Sequence, residues 1–145
     1  MKTWPESGFD PMLVLDSNTI SYYFRGDAQV VPRLQALPPS EVGVPAIVVY
    51  ELRYGLMRLP VEAARPRIEA LDKLLLPLQV LAFDAVCAEQ AAAIRCALER
   101  QGTPIGAHDV LIAATALRHR ARLVTRNERE FARVPGLQVE NWHAE

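Results

Sequence analysis

The chain has 145 residues, half of them hydrophobic and 23% charged, with a formal net charge of −1. That suits one globular domain with a real core. No apolar run reaches the length of a membrane span, and the opening MKTWPESGFDP lacks the apolar centre of a signal peptide, so a cytoplasmic protein with no membrane association is expected.

In chain order, MLVLDSNTI is a short apolar run closed by Asp-Ser-Asn-Thr, which predicts a strand over 12–15 and then a loop into a helix. SYYFRGD continues as a short helix stopped by Gly26, and a second helix over about 28–37 is closed by Pro38 and Pro39. A second strand is expected over 41–44. Pro45 then fits a first helical turn, and Ile47, Val48, Leu52, Leu56 and Leu59 follow at helical spacing. Pro66 is expected to start another helix, PRIEALDKLL. PLQVLAFD is a third strand, and DAVCAEQAAAIRCALERQG is a long helix capped by Asp84 and stopped by Gly102. GAHDVLIAATALRHR is apolar almost all round, which predicts a central helix. ARLVTRN is a fourth strand, EREF a helical turn and GLQVENW a last edge strand. Short strands alternating with helices predict an α/β domain with a parallel sheet.

Cys87 and Cys96, on one helix, would lie roughly 13 Å apart on opposite faces, too far for a disulfide, and are expected to be core thiols. His108, His119 and His143 show no zinc-ligand spacing, and His108 reads as a helix-terminus residue. Fourteen Arg stand against two Lys, with six of the Arg between Arg118 and Arg133. Such a stretch suits phosphate binding, or is simply a solvated helix end with an arginine-rich composition.

In a parallel sheet the strand C-terminal ends open on one side, where ligands bind. Asp16 ends the first strand, Asn127 follows the fourth, Asp109 heads the helix feeding the fourth, and Glu51 lies within the helix after the second. Singly these read as a strand-end cap, a turn residue, a first-turn acid and a solvated helix residue. Together they form an all-oxygen set of the kind that Mg²⁺ or Mn²⁺ takes, since crowded carboxylates repel unless a cation shares them. The reaction class that follows is phosphodiester or phosphate-ester hydrolysis.

LDSNTISYYFRG, VPAIVVYELRYGL, LAFDAVCAEQAAAIRCALERQGTPIGAHDVLIAATALRH and LVTRNEREFARVPGLQVENW, in this order and spacing, resemble the PIN-domain family and, within it, the VapC-type toxins of bacterial toxin–antitoxin pairs. The resemblance implies a PIN-like α/β domain over 11–145, a short, mainly parallel central sheet flanked by helices. Residues 1–10 would be a tail or follow from a misplaced start codon. It implies a Mg²⁺- or Mn²⁺-dependent endoribonuclease acting on structured RNA, tRNA above all, with Asp16 and Asp109 as principal metal ligands and Glu51 completing the acidic core. Ser17 and Asn18 would shape the loop around the metal or orient water.

Where many members of the family carry Asp, this chain has Asn127, so a fourth negative charge is missing unless Glu130 supplies it, and one metal or two stays open. Arg126 and Arg129 would bind RNA phosphates, and Tyr22, Tyr23 or Tyr54 would stack on a base or simply pack. The family further implies a small VapB-like antitoxin, contact with operator DNA only through that antitoxin, and a homodimer. The apolar face around Val48, Leu52 and Leu56 would serve the core or such contacts. Two other readings stand beside this one: a non-catalytic RNA- or protein-binding domain, and a phosphatase with Asp16 as nucleophile. Asn18 argues against the phosphatase, which wants an Asp two residues after its nucleophile.

Overall fold

The structure is a computed structural model and describes residues 12–143; the expected tail, 1–10, lies outside them. β1 (Leu13–Leu15) is wholly buried and runs into α1 (Ser17–Phe24) through Asp16, which keeps extended backbone while its side chain caps the helix. α1 ends at Arg25, and Gly26 turns the chain with φ +76°. α2 (Val30–Gln35) follows, then a 3-10 turn, Pro39–Glu41, and β2 (Val42–Pro45). β2 therefore starts one residue later than expected, because the Glu41 N–H is drawn back to the Pro38 carbonyl at 2.9 Å.

α3 (Ala46–Met57) begins directly after Pro45. α4 (Val61–Leu75) corrects an expectation: it starts after Pro60, and Pro66 lies inside it. Pro60 already ends the preceding turn, and burial of Ala64, Leu71 and Leu75 holds one continuous helix despite the backbone hydrogen bond that Pro66, lacking an N–H, cannot donate. Next come β3 (Gln79–Leu81), α5 (Ala85–Arg100), α6 (Ala107–Arg118), β4 (Arg122–Val124), α7 (Glu128–Phe131) and β5 (Gln138–Glu140). As expected, Asp84 caps α5, accepting from the Cys87 N–H at 2.9 Å, and Gly102 turns the chain after it. Cys87 is buried, but Cys96 is exposed and is not a core thiol. It sits on the solvent side of a helix whose inner face is Cys87, Ala91, Ile94 and Leu98.

The sheet has five parallel strands in the order β3-β2-β1-β4-β5. The chain builds outward from β1 to β2 and β3, then crosses back to lay β4 and β5 on the other side. β1 is thus the point where the winding reverses, and a crevice opens at the C-terminal ends beside it. Val14, Leu15, Val44 and Leu123 fill the middle of the sheet without exposure. α6 is the central helix the sequence predicts, with Ile112 through Ala116 all buried. At Gly43 of β2 a Cβ would stand 2.8 Å from Leu81 Cδ1 and 2.9 Å from Met12 Sδ, so the strand leaves no room for a side chain there. Among the described residues no helix is long and apolar enough to cross a membrane.

Candidate active site

Asp16 is the first residue beyond β1. Its backbone N–H donates to the Val124 carbonyl at 3.3 Å, which continues the β1–β4 ladder by one residue and fixes the carboxylate at the crevice. The side chain is only 5% exposed, an unusual depth for an acid. Its Oδ1 accepts the Thr19 N–H at 2.9 Å and the Thr19 hydroxyl at 2.6 Å. Burial raises its pKa against the lowering effect of the hydroxyls of Thr125 and Thr19 and the Thr19 N–H, and Glu51 adds to the rise. Those three donors hold the group; they do not neutralise it.

Asp109 stands in the first turn of α6, half-buried. Its pKa is pushed up to about 6, first by burial and then by Glu130, Glu51 and Asp16, with His108 opposing. Four acids from four separate segments therefore share one electrostatic neighbourhood, as the sequence predicts for Asp16, Glu51 and Asp109.

Each remaining acid is held by neighbours. Glu51 Oε1 accepts from Ser17 Oγ at 2.6 Å, and Glu51 Oε2 lies 3.1 Å from His108 Nδ1. The His108 ring in turn meets the Tyr50 ring edge-on, with centres 5.8 Å apart. Glu130 Oε2 accepts from Asn127 Nδ2 at 2.6 Å, and its Oε1 accepts from the Gly106 N–H at 2.9 Å. The Asn127 and Gly106 bonds lower the Glu130 pKa, so this carboxylate stays charged beside Asp109. A Cβ at Gly106 would lie 3.2 Å from Asp109 Oδ2, a tight contact that the Asp109 side chain would have to ease.

Asn127 is thus close to the acids but serves as a donor to Glu130. Ser17 touches the site through Glu51, while Asn18 and Arg129 are exposed. Arg126 turns toward Tyr22. Sequence reasoning missed Thr19, Thr125 and Gly106, and it placed His108 at a helix end without its bond to Glu51. The only signal for His108 was its place beside Asp109.

The donor chemistry fits a hard divalent cation, being carboxylate oxygens with hydroxyls and an amide behind them. Among the described residues no three His, Cys, Asp or Glu side chains are disposed to hold an ion together. Glu51 is drawn onto Ser17 and His108, and Glu130 onto Asn127 and Gly106, while Asp16 is held by Thr19 and Thr125. A cavity of about 610 Å³ adjoins Ser17 and Glu51 and is bounded by Arg25, Leu52, Leu56 and Arg67. Leu52 and Leu56 are therefore cavity walls, and Val48 is fully buried. α3 instead exposes Tyr50, Tyr54 and Met57.

A family model described as PIN domain matches residues 13–137. The chain belongs to the PIN-domain family. Within it this PIN domain falls among the VapC-type proteins. It is 31% identical over 129 residues to the tRNA(fMet)-specific endonuclease VapC of Salmonella typhimurium, covering 89% of this chain and 96% of that one. It is 34% identical over 139 residues to Toxin FitB of Neisseria gonorrhoeae, covering 91% of this chain and 99% of that one. Its fold superposes with a TM-score of 0.82 and 31% identity on the crystal structure of VapBC2 from Rickettsia felis bound to a DNA fragment from their promoter, covering 90% of this chain and 98% of that chain. The PIN fold and the α/β parallel sheet read from the sequence are both borne out.

Proposed function

We propose that this PIN domain is a metal-dependent endoribonuclease toxin that cuts structured RNA, with tRNA as the favoured substrate. The observation that carries the reading is the pairing of buried Asp16 with Asp109 at the winding reversal of the sheet, where the Asp109 pKa rises to about 6. Such crowding is costly unless a cation shares it. The resemblance to relatives named as an endonuclease and a toxin supports the choice of RNA.

In this reading Asp16 and Asp109 hold Mg²⁺ or Mn²⁺, with Glu51 completing the acidic core. Bound there, the ion supplies activation of water and neutralisation of charge developing on the phosphoryl oxygens. Thr19 and Thr125 orient Asp16. Ser17 and His108 hold Glu51, and Asn127 with Gly106 keeps Glu130 charged at the rim, as the substitute for the acid that Asn127 lacks. Asn18, exposed beside Asp16, orients water, and Arg126 and Arg129 attract the RNA backbone. A VapB-like antitoxin neutralises the toxin and carries it to operator DNA, and the toxin acts as a homodimer in the cytoplasm.

The test is to induce the chain without its antitoxin, beside Asp109→Asn, and to map 5′ ends across all cellular RNA. New ends only with the unmutated chain are expected, and they identify the substrate. Identical ends from both strains, with both proteins soluble and folded, overturn the reading in favour of a non-catalytic binding domain.

A further inference from the structure

Outside the acidic site, two guanidinium groups converge on one ring. Arg25 Cζ lies 5.8 Å and Arg126 Cζ 5.6 Å from the centre of the Tyr22 ring, and Arg126 Nη1 donates to the Tyr22 hydroxyl at 3.4 Å. Among the described residues neither arginine has a carboxylate within ion-pair distance. The nearby acid, Asp27, is already engaged: His143 Nε2 lies 3.0 Å from its Oδ2, and the Gln29 and Val30 N–H groups donate to its Oδ1. His143 also meets the Tyr22 ring edge-on, with centres 4.8 Å apart, so the ring is anchored from the side.

Two exposed cations drawn to one ring without a counter-charge form a site prepared for an anion. Its position narrows the choice of anion. Tyr22 and Arg25 lie on α1 and just beyond it, and Asp16 caps that helix. Arg126 sits between Asn127 and Thr125, whose hydroxyl bonds to Asp16. Arg25 stands at the other end of α1 from Asp16 and borders the cavity that Ser17 and Glu51 also line, so the pair lies beside the acidic crevice rather than in it.

We propose that Arg25 and Arg126, set by Tyr22, clamp a backbone phosphate of the RNA outside the acidic crevice. The proposal rests on the RNA-cleaving reading above. Guanidinium forks suit a phosphate's oxygens, and the aromatic ring fixes both forks before the RNA arrives. Tyr22 is a positioning residue here. With two guanidiniums and His143 packed about its ring, it is not the base-stacking platform considered from the sequence.

The experiment uses Arg25→Gln with Arg126→Gln, made both in the active chain and in Asp109→Asn, with circular dichroism to establish folding. Binding of bulk transfer RNA to the Asp109→Asn proteins is followed over a salt series. Loss of the phosphate contact is expected to weaken binding about tenfold and to flatten the slope of log affinity against log salt by about 0.7. In the active chain KM rises by a similar factor while kcat stays within about twofold. Tyr22→Phe keeps most of the affinity, and Tyr22→Leu loses part of it.

A folded double variant with unchanged slope and KM overturns the clamp, as does one that loses only the binding of a partner protein. If the active chain cuts no RNA yet Asp109→Asn binds it with the arginine-dependent slope, the nuclease reading fails and the clamp stands. If neither cleavage nor binding occurs, both fall.

Discussion

Asn127 gives its side-chain amide to Glu130 at 2.6 Å, and this contact sets which of the two residues can carry charge. A carboxylate at 127 would face Glu130 with no donor between them and would add repulsion to Asp109. Asn127→Asp is therefore expected to lose about 1 kcal/mol of stability without divalent ion and to cleave RNA more slowly than the unmutated chain. Cleavage rates measured on equal amounts of folded protein check this; a faster Asn127→Asp would mean that Glu130 is not the acid that serves here.

Asp109 makes the metal-free protein sensitive to pH. The unfolded chain loses this proton near 3.8 and the folded chain near 6, so between those values the native state binds more proton. Stability from this group is thus lost as pH rises through that window. For a half-buried group the loss, discounted for solvent screening, is roughly 1 to 2 kcal/mol. Asp109→Asn should be the more stable protein at pH 7.5 in chelator and should match the unmutated chain near pH 4. Denaturant titrations at the two pH values measure it, and a constant difference would remove Asp109 as the source.

Divalent ion should reverse that penalty. Mn²⁺ at a hundred times its dissociation constant is expected to stabilise the unmutated protein by about 2.7 kcal/mol, seen as a rise in Tm, and to leave Asp109→Asn nearly unmoved. Equal shifts in both proteins would place ion binding elsewhere.

His108 holds one oxygen of Glu51 while Ser17 holds the other. His108→Ala should free that carboxylate and lower cleavage about tenfold with little change in Tm, since the ring is half exposed. Activity equal to that of the unmutated chain would show that Ser17 suffices.

Gly43→Ala tests the centre of the sheet. The added methyl would press on Leu81 and Met12, so a cost of about 1 to 3 kcal/mol is expected, read as a lower denaturation midpoint with RNA cleavage retained while the protein is folded.

Most of the fold and the three-acid core were legible because local chemistry carried them. Asp16 and Asp84 announce helix starts by capping, Gly102 announces a stop, and the unbroken apolar pattern of α6 announces a central helix. Pro66 was misread because a favourable starting residue was weighed without the burial that carries α4 through it. Cys96 was misplaced because half-turn spacing cannot put both cysteines of α5 in one core. The bonds of His108 to Glu51 and of Thr125 to Asp16 join segments far apart in the chain, and no local pattern records such meetings.

The position of Asp16 is inherited from the pairing of β1 with β4, through one backbone hydrogen bond beyond the strand. A slip of one residue in β1 would turn its side chains to the opposite faces and carry the carboxylate away from Asp109. Misfolded or half-folded chains would then lack the acid pair altogether. In the proposed role, a toxin built this way harms its host only once its sheet is correctly assembled, so its own folding acts as the first safeguard on its activity.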